Sequence, residues 1–199
     1  MRMREVELKC VVDDLEHRCG AIERAGASLV FTGRLQDRRY DTPDRSLAAR
    51  DHVLRMRVYE SGSECRAEVD FKGPTTLEDG YKVREEIGTE LLDADAFVAI
   101  LDRLGYQVTI TIDREIVQYE LGGAMIRFEI YPRMDVLVEV EGTPEQIEQA
   151  ITALGLPRAG FVADRLSDFA RRFEERTGQA AAVSHAALQR GDRYEPASG

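Results

Sequence analysis

The chain has 199 residues, 43% of them hydrophobic, which suffices for one sizeable core and is most simply one domain. Its net charge of −10 argues against nucleic-acid binding, because phosphate contacts need a basic stripe, so any anionic ligand must find a local cationic pocket. Cys10, Cys19 and Cys65 lack metal-type spacing, no run approaches a membrane span, and Met1–Glu5 has no apolar signal core; the expectation is a soluble, cytoplasmic protein with free thiols and no membrane partner.

In Glu5-Val6-Glu7-Leu8-Lys9 the charges fall two apart with apolar residues between them, the period of a strand with one charged and one apolar face. Asp13 or Asp14 can cap a helix over about 14–26, with Leu15, Ile22 and Ala25 as its apolar stripe and Gly26 as its stop. A strand near 28–40 runs into Asp41-Thr42-Pro43-Asp44, a turn by composition. Strands follow at about 52–59 and 64–72, with Gly62 marking the turn between them and Gly73-Pro74 closing the second. After a polar loop, Tyr81, Val83 and Ile87 alternate with Lys82, Arg84 and Glu86.

Asp93 opens a helix to about 104, carrying Phe97, Ile100, Leu101 and Leu104 and stopping at Gly105. A long strand over 107–121 turns at Gly122-Gly123 into strand 124–131, and strand 136–141 follows. Thr143-Pro144-Glu145 starts a helix that runs to Leu154, and a last helix covers about 164–177. From Gly178 onward the composition lacks core residues, so the expectation is a disordered, dispensable tail or a weak helix near 179–190.

Many strands and few helices predict an α+β fold with an antiparallel sheet, and closure into a barrel would remove its edges. One strand parity then gathers Glu5, Glu7, Glu68, Asp70, Glu86, Glu129, Glu139 and Glu141 with Lys9, Arg55, Arg57, Arg66, Lys72, Lys82, Arg84 and Arg127. Burying so many charges without a ligand is costly, which favours a water-filled tunnel over a dry lumen. An open, solvent-facing sheet with cross-strand ion pairs accounts for the alternation equally well. Carboxylates suit a hard divalent cation, and Arg and Lys suit phosphate oxygens, so a metal-bridged polyphosphate satisfies both signs.

The order of Glu5-Val6-Glu7-Leu8-Lys9, Asp41-Thr42-Pro43-Asp44, Leu54-Arg55-Met56-Arg57, Phe71-Lys72-Gly73-Pro74, Arg84-Glu85-Glu86 and Glu139-Val140-Glu141 resembles the CYTH family of triphosphate tunnel metalloenzymes. Within it the layout is most similar to bacterial class IV adenylyl cyclases, and the resemblance spans roughly residues 3–170. It implies a tunnel domain over 1–177 built as an eight-stranded antiparallel β-barrel with helices outside, followed by the tail 178–199. It further implies Mg²⁺ or Mn²⁺ as cofactor and a triphosphate-bearing small molecule as partner: ATP, inorganic triphosphate or thiamine triphosphate. A homodimer is left open.

Residue by residue, the resemblance implies metal binding by Glu5, Glu7, Glu129, Glu139 and Glu141. Lys9, Arg55, Lys72 and Arg114 are implied as catalytic cationic residues on the phosphate side, with Arg57, Lys82, Arg84 and Arg127 binding substrate. Arg114 shares parity with Ile110 and Ile112, so a bulge is expected to turn it inward. Ile116 stands where the family places an Arg, Met134-Asp135 replaces a Leu-Gly turn, and Arg165-Leu166 replaces a Ser-Tyr pair. The first of these predicts a missing phosphate contact that Ile116→Arg would restore, unless Arg114 already reaches the same oxygens or Ile116 packs against another substrate group, in which case the substitution would only crowd the site.

Overall fold

The structure is a computed structural model and describes residues 2–191. Its first strand, β1 (Arg2–Val11), leads to helix α1 (Leu15–Arg24) and then to the strands β2 (Ser28–Asp41), β3 (Val53–Ser61) and β4 (Glu64–Lys72). A short β5 (Thr76–Glu78) and a long β6 (Tyr81–Leu91) precede helix α2 (Ala94–Arg103). Strands β7 (Gln107–Leu121), β8 (Ala124–Ile130) and β9 (Leu137–Glu141) follow, then α3 (Pro144–Leu154), α4 (Leu166–Thr177) and α5 (His185–Arg190).

All pairings are antiparallel, in the order β1-β9-β8-β7-β2-β3-β4-β6, and β6 pairs back onto β1 to close an eight-stranded barrel. β1 is therefore flanked on both sides, by β6 from Arg2↔Ile87 to Glu7↔Lys82 and by β9 from Glu7↔Glu141 to Val11↔Leu137. It is the strand that closes the barrel. The β7–β8 hairpin turns on Gly122 and Gly123, with φ of 58° and 91°. Two successive positive φ values are the geometry whose twist matches the flanking strands, and glycine adopts them without a Cβ clash.

The apolar parity points outward under the helices, as expected. Leu8, Phe128, Val138 and Val140 pack in one cluster with Ile22 of α1 and with Ile147, Ile151 and Leu154 of α3. A second outer cluster joins Met56 and Tyr40 to Leu101 and Phe97 of α2. The helices begin where side chains can satisfy free amides: Asp14 accepts from His17 N at 3.0 Å, Asp93 from Ala96 N at 2.8 Å, and Thr143 and Gln146 cap each other reciprocally behind Pro144. The polar loop after Gly73 contains β5, which sequence pattern does not reveal because its three residues are all exposed.

Two expectations are corrected. No register shift occurs near Arg114: the shifts in the β2–β7 ladder lie between Leu29 and Phe31 and between Arg39 and Tyr40. Arg114 reaches the lumen without a bulge because the inward face of β7 is itself mixed, carrying buried Ile112 and Ile116 beside it. The C-terminal segment, expected to lack core residues, is packed as far as it is described: Ala181, Ala182 and Val183 are buried, and α5 follows. Three small apolar residues in a row have no periodicity, so their burial is decided by a groove that only the fold supplies. Residues 192–199 of the expected tail lie outside the described residues.

Cutting the chain after Gln179 should therefore lower the melting temperature by roughly 4–8 °C. Exposing Val183 and its neighbours removes about 2 kcal/mol net of the ordering entropy, and a domain of this size shifts about 2–4 °C per kcal/mol. Differential scanning calorimetry checks this, and an unchanged melting temperature would return the segment to the status of a dispensable tail.

Candidate active site in a charged tunnel

The lumen opens into a cavity of about 410 Å³. Glu7, Lys9, Arg55, Arg57 and Lys72 line it together with Lys82, Arg84, Arg114, Glu129 and Glu139. Glu5, Arg127 and Glu141 stand off its wall, although Glu5 and Arg127 are buried beside residues that line it. All thirteen predicted residues thus share the barrel interior or its immediate lining.

Charges on neighbouring strands, and in one case on strands either side of β6, answer each other across the lumen. Lys9 of β1 pairs with Glu139 of β9, Lys72 with Glu5, and Lys82 with Glu7. Arg127 donates to Glu139 at 2.9 Å and to Gln118 at 2.8 Å. Glu129 accepts from Arg114 Nε on one oxygen at 2.8 Å and from the Tyr131 hydroxyl on the other at 2.8 Å. At the mouth, Arg84 donates to the carbonyls of Gly73 at 2.7 Å and Asp51 at 2.6 Å, while Arg165 pairs with the Asp51 carboxylate at 3.2 Å.

The residue that sequence reasoning missed is Asp37, 1% exposed at the centre of the basic side. It faces Arg114 at 3.3 Å, Arg57 at 3.4 Å and Arg55 at 3.5 Å. Burial works against its charge, yet Arg114, Arg55 and Arg57 hold the carboxyl far below its usual range. Its strand hid it: Arg34, Asp37, Arg38 and Arg39 occupy both parities, so no alternation marks the inward face. Asp70, expected on the lumen face without a role, binds Arg55 through both its oxygens at 3.0 and 3.2 Å.

One guanidinium donor, Arg55 Nη2, is buried without a partner, while Arg57 Nε and Arg114 Nη1 make no hydrogen bond and have only the ion-pair contact to Asp37, at 3.4 and 3.3 Å. On the acidic side, Glu5 Oε2 is likewise buried without a partner, and burial, with Glu5 and Glu7 close by, pushes Glu141 up. Crowded carboxylates with an oxygen to spare are the donor set of a hard divalent cation, so these residues fit one chemically. As they stand the acids are drawn onto lysines, and among the described residues no three His, Cys, Asp or Glu converge closely enough to hold an ion. A cation held there would have to compete with Lys72 and Lys82 for Glu5 and Glu7.

Ile116 does not leave a hole in the lumen wall. It is 1% exposed and packs with Leu35, Tyr59 and Phe31 as an apolar plug within the barrel. The expected gain from Ile116→Arg is thereby reversed, since the new guanidinium would enter an apolar cluster, and the carboxylate opposite it on β8, Glu129, is already engaged on both oxygens. That substitution should cost about 2 kcal/mol or more and lower the melting temperature by roughly 4–8 °C, with no rise in turnover. Higher activity at unchanged stability would show that the plug opens.

The charges also set an acid limit. Burial opposes ionisation of Glu129, yet Arg114, Lys9 and Arg127 lower it from 4.5 to about 2. Burial likewise opposes Glu7, which Lys9, Lys82 and Lys72 hold well below the usual range. A carboxyl depressed in the folded state contributes stability that is complete above its unfolded value and is lost as pH falls through the folded one. For Glu129 that is about 3 kcal/mol lost between roughly pH 4.5 and 2, with Glu7 and Asp37 acting in the same sense. Glu141 has the opposite sign, but it stands alone. Thermal melts should be nearly flat from pH 7 to 5 and fall by more than about 10 °C by pH 3; a flat profile to pH 3 would contradict these pairings.

A closed antiparallel tunnel lined with interleaved buried acids and bases defines a class: β-barrels with a charged lumen. The chain belongs to the CYTH family, whose CYTH domain profile matches residues 3–153. No curated protein is significantly similar to it in sequence. Among solved structures, PH1819 protein from Pyrococcus horikoshii OT3 is 23% identical, with a TM-score of 0.68 over 81% of this chain and 94% of that one. A candidate adenylate cyclase from Vibrio parahaemolyticus is 18% identical, with a TM-score of 0.70 over 83% and 96%. HpAC1 from Hippeastrum, a candidate adenylyl cyclase with a dominant triphosphatase activity, is 16% identical, with a TM-score of 0.58 over 93% and 100%. At these identities the likeness establishes the fold. Among the described residues no helix is long and apolar enough to cross a membrane.

Proposed function

We propose that the tunnel is the active site of a divalent-metal-dependent enzyme acting on a triphosphate-bearing small molecule, with ATP, inorganic triphosphate and thiamine triphosphate as the candidates. The observation that carries this reading is the crowding of Arg55, Arg57 and Arg114 around the one carboxylate of Asp37, with Arg55 Nη2 left unpartnered, at one cavity in a chain of net charge −10. A buried cationic donor without a partner costs several kcal/mol, and a polyanion removes that cost.

In this reading Lys9, Arg55, Lys72 and Arg114 clamp the reacting phosphates, and Arg57, Lys82, Arg84 and Arg127 neutralise and orient the rest. Glu5, Glu7, Glu139 and Glu141 would hold Mg²⁺ or Mn²⁺, which when bound neutralises charge on the phosphate oxygens. Glu129, with both oxygens held by Arg114 and Tyr131, is better placed as an anchor than as a metal ligand. Fixed charges suit phosphoryl chemistry, where positioning and electrostatic stabilisation dominate.

The first reaction assigned is adenylyl-cyclase-like: the 3′-hydroxyl of ATP attacks the α-phosphorus, and cyclic AMP and pyrophosphate form. Hydrolysis, in which water attacks the terminal phosphorus, is the second; the triphosphatase activity of HpAC1, which covers 93% of this chain, favours it. The test is a product screen with each candidate substrate and Mg²⁺ or Mn²⁺. Cyclic AMP with pyrophosphate supports the cyclase and orthophosphate the hydrolase. Binding without turnover would reduce the tunnel to a polyphosphate-binding module, and absence of binding would refute the reading.

A further inference from the structure

Past the point where β8 leaves it, β7 needs another partner. The β7–β8 ladder ends at Glu115↔Ile130, and the amide of Asp113 donates instead to the carbonyl of Val183 at 2.8 Å. On the other side of that segment, Ala182 N donates to Arg133 O at 2.8 Å and Arg133 N donates to Ala182 O at 3.1 Å. The Arg133 side chain also holds the carbonyl of Ala180 at 2.6 Å. Residues 180–183 are thus wedged between β7 and the connection that follows β8, and they fill the gap where the two strands part.

What the wedge touches is the functional side of the barrel. Val183 is 2% exposed and shares one apolar cluster with Ile112, Tyr131, Leu137 and Phe169. The Tyr131 hydroxyl donates to Glu129, and the Arg114 guanidinium lies 5.8 Å from the Tyr131 ring centroid. Glu129 in turn accepts from Arg114 Nε, which leaves Arg114 Nη1 without a hydrogen bond, 3.3 Å from the Asp37 carboxylate, in a residue that lines the cavity. A ring fixed from behind holds its hydroxyl, the hydroxyl holds the carboxylate, and the carboxylate aims the guanidinium.

We propose that the C-terminal segment Ala180–Ser184 is a positioning element of the tunnel, which packs behind Tyr131 and so, through Glu129, sets Arg114 for an anionic ligand. Only the nature of that ligand rests on the function proposed above. A segment that merely strapped the barrel shut would add stability without tightening Arg114, and this difference can be measured.

Two readouts separate the cases: hydrogen exchange of the Arg114 Nε–H followed by NMR without any ligand, and affinity for inorganic triphosphate by calorimetry. They are compared in the full chain, in a chain ending at Gln179, in Tyr131→Phe and in the combination of the last two. Arg114 Nε–H should exchange at least about tenfold faster in the shortened chain and in Tyr131→Phe, and affinity should fall about tenfold in each. Combining the two should lose no more than either alone, because both act through the same hydroxyl. If the shortened chain does not fold, Val183→Ala replaces it, with exchange expected about threefold faster. Unchanged exchange in the folded variant, or full additivity with Tyr131→Phe, overturns the proposal. A full chain that does not bind inorganic triphosphate refutes the proposed function instead, and the exchange measurement still decides the role of the segment.

Discussion

Asp37→Asn should lower the melting temperature by roughly 6–20 °C, the largest stability loss expected of any single lumen substitution. The carboxylate is 1% exposed and faces three guanidinium groups, on Arg55, Arg57 and Arg114. Breaking a buried ion pair by removing one partner costs about 3–5 kcal/mol, because the other charge stays behind uncompensated. Asparagine keeps the shape and one acceptor, so the loss isolates the charge. Adding Arg114→Met to Asp37→Asn should recover part of it, since one of the stranded charges is then gone. A melting temperature within 2 °C of the unaltered protein would mean that water reaches these arginines and that Asp37 is not their hub.

Glu7→Gln should reduce metal-dependent turnover to about 1% or less. Glu7 is buried on β1 between Lys82 and Lys9 and beside Glu141 of β9, and burial is outweighed by Lys9, Lys82 and Lys72 in keeping it ionised. Replacing one anionic ligand of a hard cation by a neutral amide removes about 3 kcal/mol or more of the stabilisation an ion provides, which is a factor of about 100 or greater in rate. Glu139→Gln should behave alike, whereas Glu129→Gln should weaken ligand binding while leaving the metal requirement unchanged, because Glu129 is spent on Arg114 and Tyr131. Mn²⁺ dependence in Glu7→Gln and Glu139→Gln indistinguishable from that of the unaltered enzyme would remove both from the metal site.

Strict alternation made most of this tunnel legible in the chain. In β1, β3, β4 and β9 charges and apolar residues occupy opposite parities with few exceptions, so a single choice of parity places Glu7, Lys9, Arg55, Lys72 and Glu139 on one face before any pairing is known. The helices were equally readable, because their caps and apolar stripes are local: Asp14, Asp93 and Thr143 begin them and Gly155 and Gly178 end two of them.

The remainder depended on contacts between residues far apart in sequence. Whether the charged face looks onto water or into a lumen is decided by the closing β1–β6 ladder, and no property of either strand alone specifies that pairing. Asp37 became a site residue only when β2 was set beside β3 and β7, since its own strand carries charge on both faces. Ile116 looked like a lost phosphate contact until Leu35 and Tyr59 from two other strands surrounded it, at a depth of the barrel that is apolar rather than charged. The C-terminal segment carried no signal beyond a weak helix near 179–190, because three small residues bury only where another surface has a gap to fit them. Local periodicity thus determined which residues share a face, and tertiary pairing decided which of those faces is enclosed, which charges meet, and which side chains are left with a free donor for a ligand.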